Sequence, residues 1–291
     1  MRIAIIGCGE AGGAYARALS DKAELFLCDI VSDGRPGVLS QELGLPLNEA
    51  PGDWLRECDF AIAAVPGRES GVAAASALPF MSQGSVYVDV STGAPDSLRQ
   101  SARDFSAEGR SFVDTAILGA IALTGGKTPV LIAGEESARA AEIFVLMGSS
   151  AKLLDDGKPG DAVALKLLRS VIIKSLECAA VESLTAAEHL GVRDKLFEAL
   201  GDVDNAPFTD LLESLVTTHI LHSKRRMHEM EESAAQLRSL GFDGAVTGAL
   251  EARYKATLSA RESNPPPDDA HETIEKSLAW LISAGRNERG D

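Results

Sequence analysis

The chain has 291 residues, with 43 Asp and Glu against 28 Lys and Arg and a formal charge of −15. That sign repels polyphosphate backbones and excludes nucleic acid as an expected partner, although a local basic cluster can still hold a small acid. Apolar residues make up 45% and aromatics 5%, so a globular core must rest on Ala, Val, Ile and Leu.

Residues 3–6 form a continuous apolar run, the pattern of a buried parallel strand. Glu10–Leu19 reads as a helix, Glu24–Cys28 as a second strand and 60–65 as another. A helix over 71–78, a strand over 85–90, a helix over 95–105 and a strand over 111–115 follow. A strand over 129–133, a helix over Ser137–Leu146 and a strand over 151–154 close this half. Strands alternating with helices of this length predict a doubly wound parallel sheet, an α/β domain. Beyond residue 157 the strand signals stop. Helices are predicted over Asp161–His189, 194–200, 208–240, 246–260 and 269–284, punctuated by Gly191, Gly201, Gly241 and Pro265-Pro266-Pro267. Two domains are therefore expected: residues 1–156, α/β, and residues 157–291, all-α, for substrate binding and dimerisation.

The four cysteines, Cys8, Cys28, Cys58 and Cys178, make no C-x-x-C pair, and no Cys/His spacing suits zinc. No metal is expected, and Cys28 and Cys58 read as small hydrophobes. The most apolar helical stretch, 162–181, carries Lys166, Arg169, Lys174 and Glu177, which argues against a membrane helix. With a strand starting at Arg2 there is no room for a signal peptide, and a cytoplasmic protein is expected.

Gly7-Cys8-Gly9-Glu10-Ala11-Gly12 matches G-x-G-x-x-G at the turn from the first strand into the first helix, the Rossmann fingerprint. Gly7 permits the tight turn, Gly9 lets the backbone approach a pyrophosphate and Gly12 lets the helix pack on the strand. The N–H groups of Glu10 and Ala11 open the helix toward the phosphates. Asp29 ends the second strand about twenty residues further on, where a carboxylate accepts from the ribose hydroxyls and repels a 2′-phosphate. NAD is thus expected over NADP, with Arg35 nearby as the residue that would accommodate the extra phosphate. A structural glycine turn with a surface Asp is the alternative.

Several segments together resemble the β-hydroxyacid dehydrogenase superfamily, which includes 3-hydroxyisobutyrate and 6-phosphogluconate dehydrogenases and the imine reductases. They are residues 5–13, Ala64-Val65-Pro66, the turn Asp89-Val90-Ser91-Thr92-Gly93-Ala94-Pro95, the segment 114–120 (DTAILGA), and 160–166, which ends in Lys166. The stretch 222–240 resembles a C-terminal helical domain in a branch of unassigned substrate. The resemblance implies a Rossmann domain followed by a helical domain, a homodimer, cofactor contacts at Val65, Pro66 and Ser91, and a pocket lined by Ser91, Thr92, Gly93, Gly119 and Ser170. Three positions depart from the family pattern: Ser170 where Asn is usual, Leu118 where the loop has Ser, and Ala162 where the second glycine stands. These departures bear on the substrate more than on the reaction.

Oxidation of an alcohol needs a base, and Lys166 is the candidate, given a pKa lowered by burial or by Lys174 or Arg169. Its helix is apolar nearly all round, which predicts burial, while Lys166, Ser170, Lys174 and Glu177 share one stripe. A structural ion-pair network with Glu177 is the alternative. Ser91, Thr92 and Gly93 sit at a strand end, where they suit a substrate carboxylate or a helix cap. His219, His222 and Arg226 share a helix face beside Lys224 and Arg225, suited to an anionic substrate or to ion pairs with Glu229, Glu231 and Glu232. The expected activity is hydride transfer between NAD(P) and a small hydroxy acid, with substrate contacts that include Lys174 and Arg226. An imine reductase is one rival, disfavoured by Lys166 because those relatives commonly carry Asp or Tyr there. A non-enzymatic dinucleotide sensor is the other.

Overall fold

The computed structural model describes residues 1–287, so 288–291, the end of the expected helical domain, lie outside the described residues. The chain divides into two compact units, Met1–Val171 and a second from Ile172 onward.

The first unit is built in the order β1 (Arg2–Ile6), α1 (Glu10–Leu19), β2 (Glu24–Cys28), α2 (Gly34–Leu43), β3 (Leu47–Asn48), β4 (Phe60–Ala63), α3 (Ser70–Ala77), β5 (Val86–Asp89) and α4 (Pro95–Ala107). It continues with β6 (Ser111–Ile117), α5 (Ile121–Thr124), β7 (Val130–Ala133), α6 (Ser137–Leu146), β8 (Ala151–Leu153) and the start of α7 (Asp161–His189). The strands lie in one sheet in the order β3-β2-β1-β4-β5-β6-β7-β8. Alternate residues of each strand face opposite sides. Ile3 and Ile5 join Tyr15, Leu19 and Phe144 in one core, while Ala4 and Ile6 join Tyr87, Leu98 and Phe105 in the other. Both faces are covered, which is why the strands read as unbroken apolar runs.

Two features depart from the expectation. β7 runs antiparallel to β6, so the sheet is parallel-dominated rather than wholly parallel. A parallel return needs a crossover of a dozen or more residues, usually built on a helix, and here the only α-helix on the way is the short α5. Helix α2, with Gly34, Pro36 and Gly37 in its first turns, is not among the expected elements. Pro is tolerated there because the N–H it lacks would be unpaired anyway, and Gly44 in the left-handed region ends the helix.

The second unit holds the rest of α7, then α8 (Arg193–Ala199), α9 (Phe208–Ser239), α10 (Ala245–Ser263) and α11 (Ile274–Asn287). α11 starts later than the expected residue 269, where the Thr273 hydroxyl accepts from the N–H of Lys276 at 3.3 Å. The core here is small: Ile220, Ala260, Ala270, Trp280 and Ala284. Glu182 on α7 accepts from the N–H groups of Val246 and Thr247 and from the Thr247 hydroxyl, capping the start of α10. Burial pushes the Glu182 carboxyl up, and the bonds from Thr247 and Val246 outweigh it, leaving the group below its ordinary value.

The expectation that α7 is buried does not hold along its middle. Leu168 is 64% exposed, Val171 65%, Leu176 55% and Val181 63%. Periodicity reports that a helix is apolar on every side, not that one chain supplies its cover. No helix among the described residues is long and apolar enough to cross a membrane.

Candidate functional site

The turn after β1 uses its glycines in three different ways. Gly7 has φ +88°, and a Cβ there would lie 2.5 Å from the Ala64 carbonyl oxygen. A Cβ on Gly12 would lie 1.8 Å from the Gly7 carbonyl oxygen, so only glycine lets α1 approach the strand. Nothing lies within 4 Å of a Cβ built on Gly9, where the chain faces open space. No side chain caps α1 at Gly9, which leaves the first-turn N–H groups of Glu10, Ala11 and Gly12 without intrahelical partners. A cleft of about 480 Å³ adjoins this turn, lined by Gly9, Glu10, Gly13, Arg17 and Arg35. Asp29 at the end of β2 accepts from the N–H of Cys8 at 2.7 Å and of Val31 at 2.9 Å, which joins the second strand end to the glycine turn. Open space, unpaired donors and a carboxylate at the ribose position fit a dinucleotide.

The second centre lies at the C-terminal ends of β5 and β6. The Lys166 ammonium donates to the Thr92 hydroxyl at 2.7 Å. Burial lowers the Lys166 pKa, and the charge of Asp114 opposes that shift. Ser91 is buried and accepts from the N–H of Val65 at 3.2 Å, tying the turn after β4 to the turn after β5. Pro66 is exposed beside it, and a Cβ on Gly67 would lie 2.1 Å from the Thr92 carbonyl oxygen, so the two turns are in direct contact. Gly93 is buried against Leu98 and Ser70. Gly119 is exposed in the loop after β6, and Ser170 lies one turn beyond Lys166 on α7.

Two buried carboxylates stand beneath this pair, in register on adjacent strands: Asp89 of β5 faces Asp114 of β6. Asp89 uses both oxygens, one accepting from the Ser91 N–H at 2.7 Å and the other from the Ser70 hydroxyl at 2.6 Å. Asp114 uses one oxygen for two donors, the N–H of Gly160 at 2.9 Å and of Val163 at 3.1 Å. Its Oδ1 is buried without a partner among the described residues. Burial pushes each carboxyl up to about 6, against the hydrogen bonds that each accepts. The sequence pattern placed both acids in motif segments but assigned neither a role. An acid within an apolar strand was the available signal, since a buried carboxylate must find donors.

The other candidate residues have partners of their own. Lys174 pairs with Glu177 at 2.5 Å, with both side chains largely exposed, as the ion-pair alternative for the stripe has it. The lowered Lys166 pKa traces to burial, not to Lys174 or Arg169. In the basic cluster of α9, Arg225 pairs with Glu229, and His228 with Glu231. Arg226 instead donates to the Thr218 hydroxyl at 2.9 Å. His219 bonds Thr257 at 2.8 Å and stacks on Tyr254, and burial followed by the charges of Arg253 and Arg226 pushes it down to about 4.

A sheet of this order with a glycine turn at β1 defines a dinucleotide-binding fold. Residues 2–158 match the model of the NAD binding domain of 6-phosphogluconate dehydrogenase, and the chain belongs to that family. It thereby carries the nicotinamide-dinucleotide-binding domain of an oxidoreductase family. Residues 187–257 match a domain of unknown function, DUF1932. The chain is 28% identical over 232 residues to an uncharacterised 28.5 kDa protein of Methanothermus fervidus, covering 80% of this chain and 89% of that one. It is 25% identical over 202 residues to the mitochondrial 3-hydroxyisobutyrate dehydrogenase of Bos taurus, covering 67% of this chain and 59% of the relative. An imine reductase from Myxococcus stipitatus, solved with NAD+, shares the fold with a TM-score of 0.74 at 16% identity, covering 96% of this chain and 98% of that one.

Proposed function

We propose that the protein is an NAD(P)-dependent oxidoreductase that interconverts a small hydroxy acid and its keto form, with Lys166 as the general acid/base. The observation that carries this reading is the Lys166–Thr92 pair at 2.7 Å at the strand ends, where ligands of open α/β sheets bind. When bound, the nicotinamide accepts or supplies the hydride. The chain's own part is proton transfer and placement. A lysine with a lowered pKa takes the hydroxyl proton at Nζ in oxidation and returns it in reduction. Thr92 fixes the ammonium, and its exposed hydroxyl suits a substrate carboxylate, while Ser91, held by Asp89 and Ala63, sets the turn in place. Gly7, Gly9, Glu10, Ala11, Gly12, Asp29, Val65 and Pro66 would hold the dinucleotide.

The Asp29 carboxylate favours NAD by repelling a 2′-phosphate, and Arg35 on the wall of the cleft beside the glycine turn works against that preference. The exposed apolar residues of α7 support a homodimer. A small acid remains the expected substrate; neither nucleic acid nor membrane is an expected partner, and the cytoplasm is the expected compartment.

The test is nicotinamide absorbance with NAD and NADP over 3-hydroxy acids, sugar acids and cyclic imines. Turnover of a hydroxy acid, lost by about 10²–10⁴-fold in Lys166→Ala with NADH binding retained, is the expected result. Turnover of imines alone, or unchanged turnover in Lys166→Ala, overturns it.

A further inference from the structure

The Lys166–Thr92 pair is assembled from two segments far apart in sequence, and each segment ends on one of the two buried acids. Thr92 follows Ser91, whose N–H is held by Asp89. Lys166 stands one turn past Val163, whose N–H is held by Asp114 together with that of Gly160. The two acids are opposite each other in the β5–β6 register, and both are fully buried. We infer that Asp89 and Asp114 are a matched pair of positioning residues, one for each partner of the Lys166–Thr92 contact, and that Asp114 also holds the Lys166 charge through its own.

The two acids do this differently. Asp89 satisfies one donor with each oxygen, and because the Ser70 hydroxyl can also accept, an asparagine there can keep both contacts, with its oxygen toward Ser91 and its NH2 toward Ser70, whereas Asp89→Ala removes them. Asp114 satisfies both donors with Oδ2 and leaves Oδ1 unpartnered. An asparagine there can keep both bonds through its own oxygen while its NH2 takes the place of Oδ1. Asp114→Asn therefore removes charge and keeps geometry, whereas Asp114→Ala removes both. The charged groups that bear on Asp114 are Asp89, Lys166 and Asp161, and Asp161 is itself paired with Arg99 at 3.2 Å.

This rests on the reading of Lys166 as acid/base for its catalytic meaning, but its test needs no substrate. Full-length protein is labelled with acetic anhydride across pH 7–11, and the rate at Lys166 is followed by mass spectrometry of its peptide. Hydrogen exchange is read at residues 91 and 160–163. The negative charge of Asp114 stabilises the Lys166 ammonium, so Asp114→Asn should lower the labelling midpoint by about one pH unit while exchange at 160–163 stays as in the wild type. Asp114→Ala should speed exchange at Gly160 and Val163 by about tenfold. Asp89→Ala should speed exchange at Ser91 and leave 160–163 alone. An unchanged midpoint in Asp114→Asn overturns the charge role. Unchanged exchange at 160–163 in Asp114→Ala, or at Ser91 in Asp89→Ala, overturns the corresponding positioning role. If Asp114→Ala does not fold, the midpoint in Asp114→Asn, checked by thermal melting, still decides the charge role. Failure of Lys166→Ala to lose turnover would strike the proposed activity and leave these readouts untouched.

Discussion

The two units solve the same problem of burying apolar surface with unequal success. Met1–Val171 closes a sheet between two helix layers, and its large buried side chains, Tyr15, Tyr87, Phe105 and Phe144, all sit there. From Ile172 onward, long helices surround a core of one tryptophan, one isoleucine and three alanines. Leu176, Val181, Leu215 and Leu221 stay on the surface. A sheet buries both faces locally, because each strand's crossover helix returns to cover it. A long helix presents more lateral surface than its neighbours in a small unit can cover, and part of its apolar surface stays exposed.

That contrast can be broken most directly on α7. If a second copy covers the helix, Leu168→Glu with Leu176→Glu places charges in the interface, and sedimentation should show a dimer become a monomer. A wild-type protein that is monomeric at micromolar concentration would remove the argument. The first unit can be probed through its buried acids. Asp114 has its folded pKa raised from 3.8 to about 6, so the native state holds the extra proton between those values. Its contribution is therefore greatest at low pH and is lost as pH rises from about 4 to 6, by on the order of 2–3 kcal/mol. Denaturant unfolding should show the wild type losing stability relative to Asp114→Asn over that window, and a flat difference would contradict the burial argument.

Smaller effects are expected in the second unit. Glu182→Gln should cost about 1–2 kcal/mol, because one of the donors at Val246 and Thr247 then faces an NH2 group. The folded pKa of Glu182 is lowered, so its contribution is present above the unfolded value and is lost as pH falls through the folded one. A thermal melt equal to that of the wild type at neutral pH would count against the cap. The smallest effect is on cofactor choice: Asp29→Ala removes the ribose contact and the repulsion together with the bonds to Cys8 and Val31, and should relax discrimination against NADP by about tenfold in binding titrations.

The same contrast explains what could be read from sequence. Strand periodicity and the glycine turn are local signals, and they put the G-x-G-x-x-G turn after β1, Asp29 after β2 and Thr92 in the turn after β5, where the structure has them. Helix α2 was illegible because Gly34, Pro36 and Gly37, ordinary loop markers, fall in a first turn where they do no harm. The direction of β7 was illegible because alternating elements carry no sign of antiparallel return. Asp89 bonds Ser70 of α3 and Asp114 bonds Gly160 and Val163 at the start of α7, partners distant in sequence that no single segment encodes. The exposed middle of α7 departs from expectation for the opposite reason: an apolar residue on every side of a helix is a local signal, and the cover that burial needs is not.

The grip of Asp114 on Gly160 and Val163 has a consequence for recombining this protein with its relatives. The family match ends at residue 158, which invites a crossover there. Such a hybrid would take the acid from one parent and the amides it holds from another, and would inherit Thr92 and Lys166 from different ancestors. A junction beyond Val171 keeps acid, helix start, lysine and threonine as one heritable block. Shuffled libraries cut at the two places should then differ in the fraction of members that retain the Lys166–Thr92 pair.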